Sequence, residues 1–334
     1  MSKNQAIAII KKFKKQAKRQ SQPNFVSPML AFLVDDYFDN KEWIYERKLD
    51  GERILTFKKD ADIKLMSRNR KILNVNYPEL VAAVKKQTGN FIIDGEVVAF
   101  SGKNTDFNKL QNRMHLKKET EVEQKKIKIY YYLFDVLYFE GFNVERLPLR
   151  QRKGILERAL NFSDPLRYLD HIEEKGIKYH REACAKGWEG IIAKDGDSQY
   201  EHSRSKLWLK FKCTNEQELV VGGYTDPEGT RIGIGALLLG FYEGKGLKYA
   251  GRVGTGFDDD DLKYLAGALK KIKVDDNPFA SGKTGSKKVH FVKPKLVAQV
   301  GFTEWTKDDK LRHPRYLGLR RDKNPREVIK ERAK

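Results

Sequence analysis

Short runs of alternating and β-branched residues, broken by turn chemistry, constrain this chain more than any other feature. Between Trp43 and Phe100 the sequence reads "WIYERKL", "RILTFKK", "IKLMSRN" and "FIIDGEVVAF", with one helix-spaced interruption, "YPELVAAVKK". Two-residue alternation predicts strands, and the spacing of Leu80, Val81 and Val84 predicts the helix. Asp50-Gly51 supplies a turn between the first two runs. Further on come a continuous apolar strand, "KIYYYLFDVLYFEG", helices in "PLRQRKGILERAL" and "IEEKGIKYHREACAKG", and strands in "EGIIAKD" and "KLWLKFK". Such a mixture describes an α+β domain around an antiparallel sheet, over 26–212, preceded by a basic segment, 1–25. The polar stretch "CTNEQE", 213–218, reads as a hinge. Beyond it, 219–334 carries five or so short Gly-punctuated strands and one helix, "DDDLKYLAGALKKI", the pattern of a small oligonucleotide-binding (OB) barrel. No internal repeat is present.

Charge then narrows the choice of partner. The 334 residues include 66 Lys+Arg against 46 Asp+Glu, a formal net charge of +20, which favours a polyanion and above all nucleic acid. No apolar run approaches the roughly 20 residues that a membrane helix needs. The N-terminal "MSKNQAIAIIKKFKKQAKRQSQ" has too short an apolar patch for an export signal. Its Ile9, Ile10 and Phe13 are spaced for a short basic amphipathic helix, lying on DNA or simply solvated. Cys184 and Cys213 are too few for a thiolate zinc site, and their context suggests no disulfide framework, so a reducing cytoplasm is the default. Six scattered His residues offer no metal motif, so any metal is expected on carboxylates and substrate phosphates. "ASGKTGSKKVHF" lacks the spacing of a phosphate loop and reads as a basic loop.

In "KLDGER", a strand, turn and strand bring Lys48 and Arg53 toward one place. A lysine attacks phosphorus only when unprotonated, a state that burial, nearby cations or a metal favour. By itself the stretch is equally an Asp-Gly hairpin with surface charge. Its meaning comes from the order of the downstream segments: "SRN" with Arg68, "DGEVVAF" with Glu96, "LFDVLYF" with Phe134 and Asp135, "EGIIAKD" with Glu189 and Lys194, "LWLKFK" with Lys210 and Lys212, and "LGLRRDK" with Arg320, Asp322 and Lys323. As an ordered set these resemble the motifs of covalent nucleotidyltransferases, and in particular of ATP-dependent DNA ligases. The stretches "PMLAFLVDD", "DFNKLQNRM" and "LRHPRYLGLRRDKNP" are most similar to the ligase domain of bacterial end-joining ligases. The resemblance runs from about Pro28 to Pro325.

The resemblance implies a nucleotidyltransferase (adenylation) domain followed by an OB-fold domain, ATP as AMP donor, and Mg2+ with Mn2+ as a substitute. It implies that Lys48 takes AMP from ATP as a phosphoramide, passes it to the 5′-phosphate of a nick, and that the 3′-hydroxyl then displaces it. Glu46 falls at the adenine-pocket position and Phe134 at the one that stacks on the base. Arg53 and Arg68 fall where ribose and phosphate oxygens are held, and Arg204 where an arginine contacts the nucleotide. Glu96 and Glu189 match metal-associated carboxylates, with Glu96 alternatively on the ribose hydroxyls. Lys210 and Lys212 alternate on one strand and so share a face toward the α-phosphate. Arg320 and Lys323 match residues that orient the β- and γ-phosphates when the small domain closes, with motion at 213–218. Asp135 reads as structural.

The implied substrate is nicked duplex DNA, in a repair role, with Ku and a repair polymerase as possible partners of a cytoplasmic, nucleoid-associated monomer. Two other readings stay open: an RNA ligase or capping guanylyltransferase, and a basic OB-fold protein that binds nucleic acid without catalysis. The NAD-dependent branch, with its four-Cys zinc module, does not fit two cysteines. Only about two dozen residues precede "PMLAF", so no separate N-terminal DNA-binding domain is expected.

Overall fold

A computed structural model describes residues 3–114, 127–213, 215–227, 229, 231–285 and 288–331. The chain divides into two compact units, Met1–Cys213 and Thr214–Arg332. In the first, chain order runs α1 (Lys3–Lys12), β1 (Leu30–Leu33), β2 (Asn40–Arg47), β3 (Glu52–Lys59), β4 (Asp62–Ser67), α2 (Pro78–Lys85), β5 (Phe91–Ser101), α3 (Phe107–Met114), β6 (Ile129–Phe139), α4 (Leu149–Ala159), β7 (His171–Glu174), α5 (Gly176–Ala185), β8 (Gly190–Asp195) and β9 (Arg204–Lys212), besides short strands.

These strands build two sheets. One has β6, β5, β3 and β4 side by side and antiparallel, extended by short strands. The other runs β7-β2-β8-β9-β1, antiparallel except where β1 joins β9. Alternation along β3 explains why the first sheet is buried on both faces. Ile54 points into a core shared with Leu80 of α2, Leu110 of α3 and Ile155 of α4, while Leu55 and Phe57 point to a second core that includes Met29 and, from β9, Trp208. Tyr45, Ile191, Ala193 and Phe211, on the far side of the second sheet, pack with Ala183 of α5.

The N-terminal segment is not a separate solvated arm. Ala6 and Ile10, one helical turn apart, are buried in the first core, and α1 packs along α4. Burying two apolar residues on one stripe outweighs the solvation of the lysines, which keep the opposite face. The helix expected over 172–187 begins only at Gly176, because Ile172 pairs with Tyr45 at the edge of the second sheet. Gly176 is required there, since a Cβ would fall 2.2 Å from the Tyr45 ring. The cysteines also depart from expectation: Cys184 of α5 and Cys213, just past β9, are joined in a disulfide. The β8–β9 hairpin returns the chain to α5, which brings together residues 29 apart in sequence.

In the second unit, β10 (Asn215–Thr225), β11 (Leu237–Glu243), β12 (Gly246–Val253), β13 (Val289–Phe302) and β14 (Arg315–Leu319) pair antiparallel in one sheet, with α6 (Asp259–Lys270) between β12 and β13 in the chain. The expected helix there has a capping box, Asp258 and Asp261 each accepting from the other's backbone N–H. Of the expected hinge, Thr214 lies outside the described residues, and 215–218 are already strand, paired with 299–302 of β13. In the expected basic loop, Ser286 and Lys287 lie outside them as well.

Candidate functional site

Register brings the second sheet's candidate residues onto one face. Ile192 of β8 pairs with Glu46 of β2 on one side and with Lys210 of β9 on the other; Gly190 pairs with Lys212, and Lys194 with Trp208. Directly opposed residues share a face, so Glu46, Lys194, Trp208, Lys210 and Lys212 all project to the same side. Lys48 follows β2 in the same alternation and is tied into this row by its backbone N–H, which donates to the Gly190 carbonyl at 3.0 Å.

The Lys48 amine forms an ion pair with one carboxylate oxygen of Glu189. Both side chains are mostly buried, at 18% and 7% exposure. The other oxygen, Oε2 of Glu189, is buried with no hydrogen-bond partner. An unsatisfied buried carboxylate oxygen costs free energy unless something joins it. A hard divalent cation, or a group on a substrate, fits that position. Glu96, the other candidate metal residue, is half-buried and lies opposite Arg53 in the first sheet. Two separate carboxylates suit magnesium, which keeps several of its waters.

Glu46 is 1% exposed and accepts from Lys153 at 2.5 Å and Lys194 at 2.6 Å. Burial alone would raise its carboxyl pKa, but the two ammonium groups outweigh that and hold it below the ordinary range. Burial pushes the Lys194 ammonium down to about 8, against the pull of Glu46. Lys194 also lies over the faces of Phe134 and Trp208, 4.2 and 4.0 Å from their centroids.

Phe134 owes its place to a β-bulge. Asp94 pairs with Asp135 and Gly95 with Leu133, so Phe134 is the extra residue of β6. Its ring meets Trp208 edge-on at 6.2 Å, and the Arg53 guanidinium lies 4.6 Å from its centroid. Arg53 makes a two-pronged pair with the fully buried Asp94, at 2.5 and 2.6 Å, and Tyr200 donates to the same carboxylate at 2.6 Å. Arg68 directly follows Ser67, which pairs with Ile54 beside Arg53. Asp135 is fully buried and paired with Arg152 at 2.8 and 3.0 Å, a structural use of the carboxylate.

Not every candidate joins this group. Arg204 is exposed at the start of β9 and donates to the Ala31 carbonyl at 2.6 Å. Arg320 and Lys323 belong to the second unit. There Arg320 grips Asp322 at 3.0 and 2.9 Å, and Lys323 pairs with Glu218 at 2.8 Å. Three residues of the pocket were not named as candidates: Lys153, which lies outside every motif, and Trp208 and Asp94, which lie inside "LWLKFK" and "DGEVVAF". Trp208 was findable, being in step with Lys210 and Lys212; its buried indole N–H has no hydrogen-bond partner. Lys153 gave no signal, since it lies 107 residues from Glu46.

Two antiparallel sheets around a lysine, a carboxylate and an aromatic pocket, followed by a small barrel, define a nucleotidyltransferase-like class. Residues 28–212 match the family described as ATP dependent DNA ligase domain, and residues 230–323 match ATP dependent DNA ligase C terminal region. The chain belongs to the ATP-dependent DNA ligase family. It is 36% identical over 329 residues to the multifunctional non-homologous end joining protein LigD of Pseudomonas aeruginosa, covering 95% of this chain and 38% of that protein. A DNA ligase of Thermococcus fumicolans is 33% identical, over 91% of this chain and 57% of that one. The solved structure of a mycobacterial DNA ligase D complexed with ATP and MES superposes with a TM-score of 0.66 at 30% identity, covering 92% of this chain and 98% of that chain. The chain thus spans about two fifths of the length of the LigD proteins it matches.

Proposed function

We propose that this chain seals nicks in duplex DNA with ATP, through an AMP group carried on Lys48. The observation that carries the reading is the Lys48–Glu189 pair with its unpartnered Glu189 oxygen, on the face shared with Lys210 and Lys212. In its unprotonated form the Lys48 amine attacks the α-phosphorus of ATP. An N–P bond forms, the bond to pyrophosphate breaks, and the amine's proton leaves to solvent. A nick 5′-phosphate oxygen then attacks the same phosphorus and releases Lys48. Finally the 3′-hydroxyl attacks the 5′-phosphorus and AMP departs, closing the backbone.

Such transfers depend on in-line positioning and charge neutralisation. Lys210 and Lys212 place two cations in the rows beside Glu46 and Lys48, where α-phosphate charge would be met. Mg2+, with Mn2+ as substitute, would be held by Glu189 and Glu96 and would neutralise phosphate oxygens during the transfer. Phe134 is assigned to the adenine by the family motif, with Trp208 edge-on to its ring and Glu46 held by Lys153 and Lys194. Arg53 and Arg68 are assigned to the ribose and phosphate oxygens. The assignments of Arg204 to the nucleotide, and of Arg320 and Lys323 to the β- and γ-phosphates, rest on the family motif alone.

Similarity to LigD proteins, which are multifunctional end joining proteins, supports a role in end joining, and Ku and a repair polymerase are the partners such a role implies. For such a role we propose a monomer working in the cytoplasm, at the nucleoid. Among the described residues no helix is long and apolar enough to cross a membrane. The test is incubation with α-labelled ATP and magnesium, denaturing electrophoresis, and a chase with nicked duplex. A labelled band that Lys48→Ala abolishes, and that nicked DNA discharges, is expected. Labelling by GTP instead, or discharge only by nicked RNA, would support the capping or RNA-ligase reading; absence of an adduct would defeat the proposal.

A further inference from the structure

Away from the nucleotide face, three soft donors converge. His180 and Cys184 lie one turn apart on α5, and Cys213 follows the last residue of β9. The His180 Nε2 is 3.4 Å from the Cys184 sulfur and 4.0 Å from that of Cys213. The three donor atoms all lie within 4.8 Å of one another, and all three residues are half-buried. Among the described residues no other such group of His, Cys, Asp and Glu is present. Cys213 packs with Tyr45 and Phe211, on the side of the sheet opposite Lys210 and Lys212.

We propose that the reduced chain binds one soft divalent cation of the zinc class through Cys184, Cys213 and His180, and that the disulfide is the metal-free, oxidised form of the same site. Two thiolates and an imidazole satisfy a tetrahedral zinc ion apart from one position, which water fills. Binding and bridging are mutually exclusive, because both use the same sulfur electron pairs.

The chemistry balances with a phosphine as reductant. The phosphine takes an oxygen from water and becomes the phosphine oxide, while the water's two hydrogens end on the two sulfurs as the S–S bond breaks. Metal binding then releases both thiol protons to buffer. With the bridge intact, the geometry has the His180 Nε2 facing the Lys212 carbonyl at 3.2 Å, where an Nε2–H donates. The metal needs the other tautomer, with the proton on Nδ1. That switch is tolerable because the Lys212 carbonyl still accepts from the Tyr37 hydroxyl at 2.8 Å. The Tyr37 ring, 4.1 Å from that of His180 centroid to centroid, keeps the imidazole in place.

The experiment uses the full chain, reduced with a phosphine without oxygen, freed of reductant and titrated with Co2+. Expected is saturation at one ion per chain, with thiolate-to-cobalt charge-transfer absorption and tetrahedral d–d bands, both abolished by one equivalent of Zn2+. Cys184→Ser and Cys213→Ser should each lose the two-thiolate signature, His180→Asn should weaken binding, and the oxidised protein should show no band. One equivalent of Zn2+ should also protect both cysteines of the reduced wild-type chain from alkylation, a readout that needs no variant. Absence of thiolate charge transfer in the reduced chain, persistence of its full two-thiolate intensity in either cysteine variant, or alkylation unaffected by Zn2+ would each overturn the proposal.

Discussion

Glu46 lies almost wholly out of water between two ammonium groups, so its removal and its neutralisation are different experiments. Truncating one partner of a buried charge group leaves the others uncompensated, at a cost of about 3–5 kcal/mol. Glu46→Ala should therefore lower stability by that order, seen as a fall in the urea midpoint. Glu46→Gln keeps the volume and one carbonyl acceptor and should cost less, yet still disturb the pocket behind Phe134 and Trp208. Asp322 carries a pH signature. Its burial would raise the carboxyl pKa, but Arg320 overrides this and holds it at about 2. A folded-state value below the ordinary 3.8 means stability that is present above about pH 4 and lost as pH falls toward 2, on the order of 2 kcal/mol. Asp322→Asn should be less stable than wild type at pH 7 by about that amount, and the gap should close by pH 2 in parallel urea titrations. A gap that persisted at pH 2 would place the stabilisation in packing instead.

Among the elements, the β8–β9 hairpin carries the site. Gly190 has φ +147, and an added Cβ would fall 2.1 Å from the Phe211 carbonyl oxygen across the pair. Gly190 also accepts the Lys48 backbone N–H. Gly190→Ala should cost about 3 kcal/mol or more by strain and backbone clash. It should also abolish the Lys48 adduct in whatever fraction remains folded, as labelled gels on the soluble protein would show. Much of this element's arrangement was legible in the sequence. The alternation of Lys210 and Lys212 fixed their common face, and the ordered motifs located Lys48, Phe134 and Glu189 without coordinates. What alternation cannot reveal is a break in itself: the bulge that turns Phe134 depends on the pairing of β6 with β5, which no local pattern encodes. Lys153 was invisible for a related reason, being brought to Glu46 only by the packing of α4. The edge strand β7 reads as helix because "IEEK" has good helix formers, and pairing with Tyr45 overrides that propensity. The N-terminal helix is recognisable from its spacing, but only the surface of α4 decides that its apolar stripe is buried.

For the whole molecule, the proposed function together with the net charge of +20 predicts a DNA affinity governed by counterion release. Each phosphate neutralised by Lys or Arg frees condensed cations, so a footprint of about six to ten phosphates loses roughly 10³–10⁵ in affinity between 50 and 200 mM salt. Adenylation of Lys48 should respond differently, because the Lys48–Glu189 pair is mostly buried and screening by salt acts weakly on buried groups. Two measurements on one preparation separate these effects. Fluorescence anisotropy of a labelled nicked duplex should give a steep linear fall of log K with log salt, and the rate of adduct formation from α-labelled ATP should change little over the same range. Nick sealing at limiting DNA should follow the first curve, and at saturating DNA the second. A shallow slope for DNA binding would mean that the excess of Lys and Arg does not lie against phosphate, and that contacts insensitive to salt hold the duplex.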